Sequence, residues 1–205
     1  MKLGKGRIEA LSDGVFSIAM TLLVLELKVP ELSHHATNDE LLAALAKLRP
    51  SFLTFFITFM ISGTFWFLHH LTFHFVKHMN QVLCWINLFF LMFVSLLPFS
   101  AGLLGHFAGQ QVSQLFYFGN QLVLALLLLA HWMYAQKKGL TDTEEHPEQA
   151  AIVTWRIWSM TVAFTAGLLI TPLRSEGGRI GFAVGLICMA GLRRLILKRR
   201  FRNRS

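Results

Sequence analysis

Six stretches of this chain are each apolar over roughly the ~20 residues that a helix needs to cross a bilayer. They cover about 8–29, 51–76, 81–104, 112–134, 152–170 and 180–197. Between them the connections are short, and no segment has the composition of a separate soluble domain. The pattern predicts an all-α polytopic membrane protein, with 1–205 forming one six-span domain. Composition agrees: 54% of residues are hydrophobic and only 15% are charged, against about 25% charged in an ordinary soluble domain.

The net charge of +8 does not point to nucleic acid. Much of it sits behind the last apolar stretch, in Arg193, Arg194, Lys198, Arg199, Arg200, Arg202 and Arg204. A basic tail in that place reads as a cytosolic topology signal and a contact with lipid headgroups. Lys2, Lys5, Arg7, Lys77, Lys137 and Lys138 fall on the same side when the N-terminus is inside. Both termini are therefore expected in the cytosol. The first stretch carries Glu9 and Asp13 and lacks a small-x-small cleavage site, so it is expected to remain as a span rather than be removed as a signal. Cys84 and Cys188 lie inside apolar stretches with no ligand-like neighbours and read as small buried hydrophobes.

Two connections have some length. Residues 30–50 include an alanine- and leucine-rich piece that predicts a short helix outside the membrane. Residues 136–150 are polar; Thr141 with Glu144 three positions on suggests a helix N-cap there.

The first stretch is the most informative. Its entrance holds Arg7, Glu9, Ser12 and Asp13, and ionisable groups at a membrane boundary usually have a partner or a job. Arg7 and Asp13 are six residues apart and so reach different neighbours rather than each other. In the folded chain Trp66, His69, His70, Asn80, Trp85 and Asn87 come to the same side, so a polar network joining them to Ser12 and Asp13 is expected. It serves helix packing, function or both. Further along, Ile18, Leu22 and Leu25 follow the i, i+4, i+7 spacing of one helix face, with Ser17 and Thr21 beside them. Such a row faces lipid, a neighbouring helix or a narrow pore; a ring of aliphatic side chains gates by dewetting.

His70, His74 and His78 recur every four residues, a spacing that suits interfacial histidines and also a metal or proton site. Arg156 between Trp155 and Trp158 reads as a headgroup anchor. Gly181 and Gly185 permit close helix packing. No nucleotide-binding loop, nucleophile elbow or zinc-protease motif occurs, and no TVGYG filter occurs either. An enzyme is not expected.

The run from Arg7 to Gly14, RIEALSDG, resembles the Arg-x-x-x-Phe-Ser-Asp motif of the transmembrane-protein-175 potassium channel family in its bacterial form. Arg7, Ser12 and Asp13 occupy the polar positions and Leu11 stands in place of Phe. The likeness continues through Trp66 and His69, and through Asn87 and Pro98. It covers the first half of the chain with specific motifs and the second half by span count alone.

The resemblance implies a homotetramer of six-span subunits in a bacterial plasma membrane. It implies that the first span lines a central pore, with Ile18 and Leu25 as constrictions and Thr21 or Leu22 between them. It implies that Arg7, Ser12 and Asp13 tie that span to Trp66, His69 and Asn87. No cofactor is expected; potassium is the permeant ion, passed with modest selectivity. The alternative is a proton- or metal-coupled transporter using Asp13 with His70, His74 and His78. Coupled transporters often carry internal repeats and helices interrupted near mid-membrane; this chain shows neither clearly, with Pro98 near a span end, which favours the channel.

Overall fold

The computed structural model describes residues 4–173. The expected span at 180–197, Gly181, Gly185, Cys188 and the basic C-terminus lie outside the described residues. Within them the chain is all helical, and five helical segments are long and apolar enough to cross a membrane.

Helix α1 (Lys5–Leu22) tightens at its end into a 3-10 turn, Leu23–Glu26. The chain leaves helical geometry at Leu27, earlier than the expected end at residue 29. The short helix expected within 30–50 is α2 (Asn38–Lys47). Thr37 and Glu40 cap it reciprocally. Glu40 N–H donates to Thr37 Oγ1 at 3.3 Å, and Thr37 N–H donates to Glu40 Oε2 at 2.8 Å. Two orphan amides at the helix start are satisfied at once.

Helix α3 (Arg49–Phe75) carries Pro50 in its first turn, where the missing N–H costs nothing. The third span is not the single helix expected over 81–104. It is two pieces, α4 (Gln81–Ser95) and α5 (Leu97–His106), broken at Leu96. Pro98 is the cause: it has no N–H for the Val94 carbonyl, and its ring crowds that turn. Together the two pieces, Gln81–His106, still form one segment long and apolar enough to cross a membrane.

Helices α6 (Gln111–Lys137) and α7 (Pro147–Ile170) complete the set, followed by a 3-10 turn, Thr171–Leu173. The N-cap expected at Thr141 does not form. Helix α7 starts at Pro147, and Thr141 instead pairs with Val76 in an isolated antiparallel bridge. Lys77 N–H donates to Leu140 O at 2.8 Å and Asp142 N–H donates to Phe75 O at 3.1 Å. Gly139, at φ 63°, supplies the left-handed turn that leads out of α6.

Helix α6 packs against α4, α5 and α7, while α1 packs against α3 and α4. Phe16, Phe65, Phe90, Leu124, Leu128 and Trp132 are buried in the core between them. Phe65 stacks on Phe164 with ring centroids 5.9 Å apart, which ties α3 to α7.

Candidate functional site on the first helix

Helix α1 has two unlike faces. Ile8, Ser12, Phe16, Ala19 and Leu23 are buried against its own subunit. Their spacing of three and four residues is that of a single helix stripe. On the other side Ile18, Leu22 and Leu25 are 60%, 41% and 68% exposed. Leu11, the residue at the motif's aromatic position, continues this uncovered row towards the N-terminus. Ser17 and Thr21 are exposed beside it. The Thr21 hydroxyl donates back to Ser17 O and Ile18 O, each at 2.9 Å. Its proton is thereby turned to the backbone.

The buried face is held by a relay of polar contacts. His69 Nε2 donates to Asn87 Oδ1 at 2.7 Å. Asn87 Nδ2 donates to Ser12 Oγ at 3.2 Å, and the Ser12 hydroxyl donates to Ile8 O at 2.9 Å. Ser12, His69 and Asn87 are all buried, so each donor has an acceptor where water is excluded. On the rim of the same face the Trp66 indole N–H donates to Asp13 Oδ1 at 2.9 Å. The relay thus joins α1 to both α3 and α4. Phe16 and Phe90 close over the imidazole of His69, with centroids 6.1 Å and 5.3 Å away.

Several expected members stand elsewhere. Arg7 is exposed on α1, and its guanidinium takes no hydrogen bond or ion pair among the described residues. It is not part of the relay. Asn80 caps α4, accepting from Leu83 N–H at 2.8 Å and donating to Tyr134 Oη at 3.0 Å. Trp85 points away from the bundle, 55% exposed. His70 stacks on Trp66 rather than joining Asp13. His78 lies beyond the end of α3, because the chain turns extended at Val76. His70, His74 and His78 therefore do not share one helical face. Among the described residues no three His, Cys, Asp or Glu side chains are grouped closely enough to hold a metal ion.

One buried group escaped the sequence reading. His131 of α6 is buried, stacks on Phe73 at 5.1 Å and lies 6.1 Å from His69. An ionisable residue inside an apolar span is itself a signal, but nothing in the local spacing pairs it with His69.

A bundle of spans with one helix firmly anchored on one face and bare on the other defines an α-helical integral membrane protein. In this one, the first span presents an unpartnered apolar row. Comparison with known proteins gives the family. Residues 7–98 match the family model described as the endosomal/lysosomal potassium channel TMEM175. A potassium channel of Streptomyces collinus is 31% identical over 170 residues, 80% of this chain and 81% of that protein. A potassium channel of a Chryseobacterium species is 41% identical over 111 residues, 53% of this chain and 54% of that protein. The match thus spans about half the length of that second relative. A crystal structure of a lysosomal potassium-selective channel TMEM175 homolog from Chamaesiphon minutus superposes with a TM-score of 0.77 at 29% identity. It covers 92% of this chain and 97% of that one. The chain belongs to the TMEM175 family.

Proposed function

We propose that this protein is a potassium-permeable, modestly selective cation channel whose subunits surround a pore lined by α1. The observation that carries the reading is the exposure of Ile18, Leu22 and Leu25 on a helix whose opposite face is fully engaged. A homotetramer gives that row an axis to face. Four aliphatic side chains at Ile18, and four more at Leu25, then form rings that exclude water when narrow and pass a partly dehydrated cation when wide. Potassium sheds its hydration shell more readily than sodium, so the rings favour it. Selectivity stays modest because no ladder of fixed carbonyl ligands replaces the lost water. Thr21, with its proton turned inward, offers an oxygen between the two rings.

The reading places the protein in a bacterial plasma membrane with both termini in the cytosol, as the basic residues favour. The relay at Ser12, Asp13, Trp66, His69 and Asn87 is a support: it fixes the rotation of α1 so that the aliphatic row points to the axis.

Purified protein in liposomes tests this. A potassium gradient is expected to drive flux that follows the diffusion potential without a coupled ion. Flux strictly tied to proton movement contradicts the channel reading and favours a coupled transporter. A stable monomer in detergent removes the axis on which the reading depends.

A further inference from the structure

The relay holds α1 near its N-terminal end, yet Leu25 lies three turns further on and needs its own support. From Leu23 the helix narrows to 3-10 geometry, in which residues three apart lie directly above one another. Leu23 and Glu26 consequently project towards the same neighbour. Leu23 is buried, and the Glu26 side chain is only partly exposed.

That neighbour is α5. Glu26 lies over Gly102: a methyl group added there would overlap the carboxylate itself, and its Cγ would stand 3.1 Å away. Leu23, Glu26, Ser51, Phe55, Gly102 and His106 line the niche. The backbone around the niche is fixed from both sides. His106 Nδ1 donates to Gly102 O at 2.8 Å, and the Ser51 hydroxyl donates to Gly105 O at 3.2 Å. Gly105 also lets α3 approach, since a Cβ there would meet the Ser51 backbone at 3.1 Å. The glycine at 102 is thus a notch that only the absence of a side chain provides. Glu26 takes no ion pair or hydrogen bond among the described residues, so its seat is one of shape.

We propose that Glu26 is a positioning residue for the far constriction: seated in the Gly102 notch, it sets the rotation of the 3-10 turn and keeps Leu25 on the pore axis. This inference rests on the channel reading. Leu25 is the most exposed residue of the turn, and Glu26 is its inward neighbour by one 3-10 step of ~120°. A methyl at 102 meets Cγ as well as the carboxylate, so swinging the carboxylate aside relieves only part of the overlap, and the remaining push is taken up by the turn that carries Leu25.

The test is a double-mutant cycle on single-channel conductance and on the potassium-to-sodium permeability ratio. Gly102→Ala in the otherwise unchanged protein is expected to change conductance at least twofold and to shift the permeability ratio. In a Glu26→Ala background the same substitution is expected to add nothing, because the group it displaces is gone. Glu26→Asp, one methylene shorter, is the second background and is also expected to relieve Gly102→Ala. A Gly102→Ala effect of equal size with and without the Glu26 side chain overturns the proposal. So does an unchanged permeability ratio in both single variants. An unchanged protein that passes no potassium overturns the channel reading instead, which keeps the two failures apart.

Discussion

Asn87 spans the gap between α4 and α1, donating its amide N–H to the Ser12 hydroxyl at 3.2 Å while its oxygen accepts from His69 at 2.7 Å. Both hydrogen bonds are buried, and among the described residues no other side chain is hydrogen-bonded to all three helices in this way. Asn87 thereby ties α1 to α3 as well as to α4.

Replacing Asn87 by Ala leaves the His69 N–H without its acceptor and Ser12 without its donor. Single interhelical hydrogen bonds in membranes are worth about 0.6–1.7 kcal/mol, and orphaning a buried donor adds to that. A loss of about 1–3 kcal/mol is expected, read as a lower thermal midpoint of the protein in detergent. Trp66→Phe removes only the rim bond to Asp13, which is exposed, and is expected to cost less. An equal loss from the two would place the anchor at the rim rather than in the buried relay.

If Ile18 forms the proposed ring, Ile18→Asn puts an amide where water is excluded. Conductance is expected to rise and discrimination between potassium and sodium to weaken, in reversal potentials measured under bi-ionic conditions. Phe16→Leu, on the buried face two residues away, is expected to lower stability without a comparable change in ion preference. That contrast separates a pore role from a general packing effect.

Thr21→Val removes the oxygen but keeps the shape of the side chain. The expected result is a smaller potassium conductance with the thermal midpoint of the protein nearly unchanged. The hydroxyl bonds only to its own helix, at Ser17 and Ile18, so its loss breaks no contact between elements.

At the end of α3, Lys77 is 2.9 Å from Glu145 and 3.6 Å from Asp142. The hydrogen bond to Glu145, with the charge of Asp142 behind it, holds the Lys77 ammonium above its usual value of 10.5. The folded state therefore favours the protonated form. Its contribution is complete below pH 10.5 and is lost as pH rises through the higher folded value. The bridge between Val76 and Thr141 is expected to be insensitive to pH from 6 to 9 but weakened by salt, because the pair is exposed. Lys77→Met is expected to speed cleavage of the 138–146 loop by a glutamate-specific protease at pH 8, with little change in thermal midpoint.

Five of the expected spans, those within the described residues, were legible in the sequence because a bilayer imposes a length and an apolar content on each. Local rules failed where the partner was distant. Thr37–Glu40 and Thr141–Glu144 have the same cap spacing, yet only the first caps a helix. Asp142 N–H is taken by Phe75 O and the Asp142 carboxylate faces Lys77, so pairing with the end of α3 outweighs the cap. The row Ile18, Leu22 and Leu25 was legible as one face, and its exposure agrees with that pattern. Spacing along α1 says nothing of what Glu26 or His131 touches. Gly102 lies 76 positions from Glu26 in the chain, and His131 comes near His69 only because α6 packs behind α3 and α4.

The central claim is that the bare face of α1 lines the ion path. Silver block of Ile18→Cys, recorded in planar bilayers on protein with Cys84 and Cys188 replaced by Ser, tests it most directly. Micromolar silver is expected to abolish the Ile18→Cys current within seconds and to leave the cysteine-free parent conducting. An Ile18→Cys current that silver leaves unchanged contradicts the claim.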